Sequence, residues 1–91
     1  MIRTWGSSAT RRFAVDGKAP KFRSLDTDAA LELLVALDAA TSLADLSPLK
    51  SIGLHKLKGD RQGQWAITVN GPWRICFEFR NGDSFNVEIA N

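Results

Sequence analysis

An α+β domain is predicted, with an N-terminal strand and two helices packed on one face of a mainly antiparallel sheet. Three observations carry that prediction. Residues 64–69 and 73–80 alternate in polarity with a period of two, the signature of half-buried strands. Arg80-Asn81-Gly82-Asp83 is a two-residue hairpin signal, because Asn-Gly tolerates both positive φ values of a type I′ turn. Between residues 26 and 40 the period changes, and Ala30, Leu33, Leu34, Leu37 and Ala40 recur at helical spacing. Helices grouped at one end of the chain and strands at the other define this class.

Taken in order, residues 1–5 read as a short strand, with Ile2 and Thr4 on one side and Arg3 and Trp5 on the other. Ser7 or Ser8 can cap a helix over residues 9–15 by accepting from its free N–H groups, and Asp16-Gly17 ends it. The polar stretch 18–24 reads as a connection. Asp26, Thr27 or Asp28 caps the second helix and suits the positive end of its dipole. Leu31 and Val35 fall outside its main stripe and form a second apolar edge, for core contact or for a partner. Thr41-Ser42 ends the helix, residues 42–46 add a short turn, and Pro48 forces a break. A short strand is expected over residues 52–57, with a bulge or an early exit where Leu54 and Leu57 fail to alternate, then a loop over 58–63.

After that loop, Trp65, Ile67 and Val69 share the core face of one strand, and Trp73, Ile75, Phe77 and Phe79 that of the next. Asn70-Gly71-Pro72 turns between them. Residues 84–90 form the last strand, and Phe85, Val87 and Ile89 are expected to complete the apolar row. Trp65 and Trp73, being on these rows, are read as core rather than as base-stacking platforms.

Ninety-one residues make one domain, close to the size at which a single core suffices. The net charge of +2 hides an uneven distribution: +5 over residues 1–23, −5 over 24–49 and +2 over 50–91. Basic segments on either side of an acidic helix suit a nucleic-acid ligand and an oppositely charged partner face, against the plainer reading of solvated surface charge. One cysteine forms no intramolecular disulfide, and nothing resembles a zinc-ligand cluster. Cys76 reads as a packed side chain and not a nucleophile. No apolar run approaches the roughly 20 residues that span a bilayer, and the N-terminus lacks a signal-peptide core, so a cytoplasmic protein without a membrane role is expected.

The polar row of the two central strands carries Arg74, and the loop before them carries His55, Lys56, Lys58 and Arg61. Together they form a site for a polyanion. Taken singly, His55 is as readily structural as functional, and Lys58 and Arg61 read as solvated loop charges. Arg74 is different, since a cation in an otherwise apolar strand requires a partner or a ligand.

The order Leu54-His55-x-Leu57-Lys58-Gly59-Asp60-Arg61-x-Gly63-x-Trp65, followed by Val69-Asn70-Gly71-x-Trp73-Arg74-Ile75-x-Phe77, closely resembles the HigB branch of the RelE/ParE toxin superfamily, the plasmid maintenance killer proteins of bacterial toxin–antitoxin operons. Residues 1–5, 37–42 and 86–89 extend the likeness, and residues 6–25 match loosely. The resemblance implies the RelE-like fold and a toxin that cuts mRNA in the ribosomal A site without metal or cofactor. It also implies neutralisation by a HigA-like helix-turn-helix antitoxin, through which alone the complex binds operator DNA.

By the same resemblance Lys58 and Arg74 stand at positions of catalytic or phosphate-stabilising cations, and His55 at that of a histidine lining the site. Lys56 and Arg61 are assigned to RNA or ribosome contact. Proteins of this kind commonly continue past the last strand into an acidic residue, a tyrosine and a histidine. Here Asn91 stands at about the acidic position and the chain has no tyrosine, so weakened cleavage is expected unless His55 compensates. The alternative is a ParE-like inhibitor that binds DNA gyrase and cuts nothing, because a shared fold does not decide function.

Overall fold

The computed structural model describes residues 1–18, 20–46 and 53–91; the expected break at Pro48 and strand start at Ile52 lie outside them. Two helices, α1 (Ser8–Asp16) and α2 (Thr27–Ala39), precede four strands, β1 (His55–Lys56), β2 (Trp65–Asn70), β3 (Trp73–Arg80) and β4 (Asp83–Ala90). The strands form one antiparallel sheet in the order β1-β2-β3-β4. None of the described helices is long and apolar enough to cross a membrane.

Local chemistry sets the helix ends. Ser7 Oγ accepts from Thr10 N at 3.2 Å, and Gly17, at φ 72°, lets its N–H return to the Phe13 carbonyl at 2.8 Å. Asp26 accepts from Ala29 N at 3.1 Å to start α2. The predicted stripe of Ala30, Leu33, Leu34, Leu37 and Ala40 is buried and meets Phe13, Ile67, Ile75, Phe77, Val87 and Ile89 in one core. Of the second edge, Leu31 packs against that core and Val35 stays exposed.

The connection before α2 is more ordered than its polar composition suggests. Phe22 is buried edge-on between Phe13 and Trp73, at centroid distances of 6.4 and 5.5 Å. Burying such a ring is worth about 1.5–3 kcal/mol, enough to hold a short polar segment in place. The β2–β3 turn then latches onto it. Asn70 accepts from Asp26 N at 2.8 Å and donates to the Ser24 carbonyl at 2.9 Å, while Trp73 Nε1 donates to the Arg23 carbonyl at 2.8 Å.

Three sequence expectations are corrected. β1 is confined to two residues, although Leu57 N still donates to the Gln64 carbonyl. The N-terminal segment is not a regular strand; it runs parallel to β4 through separate bridges, Ile2 to Ser84 and Trp5 to Val87. Asn86, at φ 53°, breaks the ladder between those bridges and donates its N–H to Thr4 Oγ1 at 2.8 Å. Ile2 and Trp5, which strict alternation would put on opposite sides, therefore both pack against the core.

The same residue displaces Phe85. Cys76 pairs with Glu88 but Glu78 with Phe85, so two steps along β3 span three along β4, a bulge. Beyond it every side chain changes face. Ser84 takes the buried position opposite Phe79, and Phe85 turns away from the apolar row it was expected to complete. The hairpin itself is as predicted, with Asn81 at φ 50° and Gly82 at φ 83°. A Cβ on Gly82 would also lie 2.8 Å from the Thr41 carbonyl oxygen.

Where the N-terminal segment leaves the edge of β4, Thr10 takes over. Its fully buried Oγ1 accepts from Ile89 N at 3.0 Å. Thr10→Val keeps the shape and strands that N–H, which should lower stability by about 1–3 kcal/mol, with Thr10→Ser closer to the parent in denaturant titrations. Faster exchange of the Ile89 amide in Thr10→Val would locate the defect.

Asp83 ties the hairpin to the N-terminal segment through Arg3 Nε at 3.2 Å and the Met1 ammonium at 3.4 Å. Desolvation raises its pKa, but hydrogen bonds and charge from Arg3 and Met1 outweigh it and hold the carboxyl below its ordinary value of 3.8. A depressed carboxyl stabilises the fold above the unfolded-state value and loses that contribution as pH falls through the folded one. Asp83→Asn should therefore lower the melting temperature at pH 7, and the two melting curves should converge in acid below pH 3.8.

Candidate active site

Alternation along β3 divides the sheet into two faces. Ile75 and Phe77 meet the helices, and Arg74, Cys76, Glu78 and Arg80 stand on the outer face. Pairing across the strands places His55, Ala66, Cys76 and Glu88 in one row on that face, and Thr68, Arg74 and Ala90 in the next. His55 and Arg74, distant in sequence, are thus two strands apart, about 10 Å in the hydrogen-bonding direction.

His55 is exposed, and its Nδ1 lies 2.8 Å from the Gly53 carbonyl oxygen. That oxygen can only accept, so Nδ1 carries the hydrogen and Nε2 of the neutral ring keeps a lone pair. Arg74 is half-buried and joins no ion pair among the described residues, and its Nε is buried without a hydrogen-bond partner. Its positive charge is thus left without an acidic partner among the described residues.

Lys58 opens the 3-10 turn Gly59–Arg61 and is exposed. With Lys56, Leu57, Gly59 and Gln62 it lines an open groove of about 420 Å³ at the β1 edge. Lys56 pairs with Trp65, its Nζ 6.0 Å from that ring, and so belongs to the face opposite His55. The fold therefore places His55, Arg61 and Arg74 over one face of the sheet, directs Lys56 to the other, and sets Lys58 in the groove at the β1 edge that Lys56 also lines.

Arg61 does not extend into solvent. It reaches back over the sheet, with Nη1 3.1 Å from Gln64 Oε1 and 3.1 Å from Glu88 Oε1. Ala66 and Cys76, though on the outer face, are fully buried. Burial pushes the Cys76 thiol up, against the opposing pull of Arg61 and Arg74, so the sulfur stays a neutral thiol. Glu88 is the site residue that residue-by-residue reading passes over. Its alternation with Val87 and Ile89 is a signal for its face but none for its partner.

The sequence profile described as the RelE-like toxin of the type II toxin-antitoxin system HigB matches residues 6–90. The chain belongs to this family. It is also 36% identical over 85 residues to the Endoribonuclease HigB of Proteus vulgaris, an alignment covering 93% of this chain and 91% of that protein. A toxin of a type II toxin–antitoxin system implies an antitoxin as its partner. In this HigB-type toxin β4 ends opposite Arg74, which sets Asn91 at the border of the same site.

The state of Cys76 is directly measurable. A thiol-reactive disulfide reagent at pH 7 should leave it unmodified in the native protein and titrate one thiol in denaturant. Rapid modification of the folded protein would contradict a buried neutral thiol.

Proposed function

We propose that this toxin is an endoribonuclease that cuts mRNA on the ribosome, arrests translation and growth, and is neutralised by a HigA-like helix-turn-helix antitoxin. The observation carrying this reading is the Arg74 guanidinium, without an ion-pair partner among the described residues, on a face that also presents the His55 ring, an arrangement suited to a phosphodiester beside a ribose hydroxyl. The endoribonuclease activity in the name of the Proteus vulgaris relative supports it.

In this mechanism the RNA supplies its own nucleophile. His55 Nε2 takes the proton of the 2′-OH, a bond forms from O2′ to phosphorus, and the bond from phosphorus to O5′ breaks. Arg74 presents a planar fork to the phosphate oxygens as negative charge gathers on them. Lys58, exposed on the adjoining turn, delivers a compact ammonium to the departing O5′ and donates its proton. The products are a 2′,3′-cyclic phosphate and a free 5′-hydroxyl. No step needs a metal or an enzyme nucleophile. Specificity for mRNA in the A site comes from the ribosome, which holds the strand in line for attack.

Primer extension on a defined message translated by purified ribosomes tests the proposal. Cuts in the translated message are expected with the parent chain, reduced about 10²–10³-fold in Arg74→Ala. Loss of the base in His55→Ala should cost about 10²–10⁴-fold. Equal cutting by the parent and Arg74→Ala would remove the arginine from the mechanism. No cutting on ribosomes, together with trapped cleaved DNA–gyrase complexes, would favour the ParE-like alternative.

A further inference from the structure

The chain has eight aromatic residues, and seven of them lie in the core or pack against it. Phe85 is the exception. The Asn86 bulge turns it onto the outer face opposite Glu78, and the Arg80 guanidinium carbon sits over its ring, 4.1 Å from the centroid. Arg80 is exposed and joins no ion pair among the described residues. Holding Asn86 at positive φ costs about 1 kcal/mol, and the register change leaves the Ser84 hydroxyl buried without a partner. A hairpin stabilised only by packing would be better served by Phe85 on the core face.

We propose that Arg80, backed by the Phe85 ring, is a stacking subsite for an unpaired nucleobase of the RNA strand whose phosphate lies at Arg74. This rests on the RNA-cleaving reading above and adds a contact to a base. Guanidinium planes and aromatic rings are the surfaces on which single-stranded bases stack, and a cation–π pair presents a flat, partly desolvated guanidinium to the next π face. Arg74 and Arg80 share one face of β3, six residues or about 20 Å apart, a distance covered by a few nucleotides of extended strand. Asn86 Nδ2 donates to Glu78 Oε2, which occupies the carboxylate between the two arginines. The strand then runs along the outer face from the phosphate site to the hairpin.

Fluorescence anisotropy of the full chain with a 2′-O-methyl RNA hexamer at low ionic strength tests this without cleavage, because the nucleophile is blocked. Arg80→Lys keeps the charge and loses the plane, and Phe85→Leu keeps apolar bulk and loses the ring. Each should weaken binding roughly 5- to 100-fold. An abasic scan of the hexamer should find one position at which the parent loses a similar factor and both variants lose little more. Parent-like binding by both variants while Arg74→Ala binds poorly would overturn the subsite and leave the RNA reading standing. No hexamer binding by the parent chain would overturn both. Circular dichroism checks that Phe85→Leu is folded, and Arg80→Lys, at an exposed position, supplies the independent arm.

Discussion

The pairing of β3 on both of its edges is the constraint from which the rest of this structure follows. Its backbone is bonded to β2 on one side and β4 on the other, so its alternation is imposed on the whole sheet. One row, with Ile75 and Phe77, receives the helices; the other, with Arg74 and Cys76, faces away from them. A slip of one residue would put Arg74 into the core and Phe77 into solvent. Hydrophobic burial and placement of the site cation are thus one free-energy decision, and a toxin of this size needs no separate scaffold for its site.

Two departures from regular pairing shape the face that β3 presents. In β2 the register shifts between Thr68 and Asn70, which lets Asn70 and Trp73 both reach the connection before α2. In β4 the bulge at Asn86 divides the outer face into a region around Arg74 and one where Arg80 lies over the Phe85 ring. Each bulge leaves one row of side chains pointing as alternation requires and redirects the next.

The ion pair of Arg61 with Glu88 has the opposite character. Both side chains are partly exposed, at 35% and 27%, and pairs of this kind contribute about 0–1 kcal/mol. Arg61 is therefore held over Cys76 by a pair that opens at little cost. Salt weakens such an exposed pair further through screening.

Strand alternation, the Asn-Gly turn, the α2 stripe and the presence of a capping side chain before each helix are determined by the sequence alone, because each depends on residues within one turn or one strand step of each other, whereas the choice of Ser7 and Asp26 among neighbouring candidates is made by the fold. Arg74 stands out for a related reason, since a cation between buried neighbours is anomalous wherever the strand is placed. Other features appear only with the tertiary structure. Phe22 looks like part of a polar linker until Phe13 and Trp73 close around it. Arg61 looks like a free loop charge until β4 brings Glu88 within 3.1 Å. Phe85 reads as core because alternation is assumed to continue, and only the competition between β3 and the N-terminal segment for the two edges of β4 shows where it fails. Local periodicity sets which face a residue prefers; long-range pairing decides which it receives, because a single left-handed residue can reverse that preference for about 1 kcal/mol.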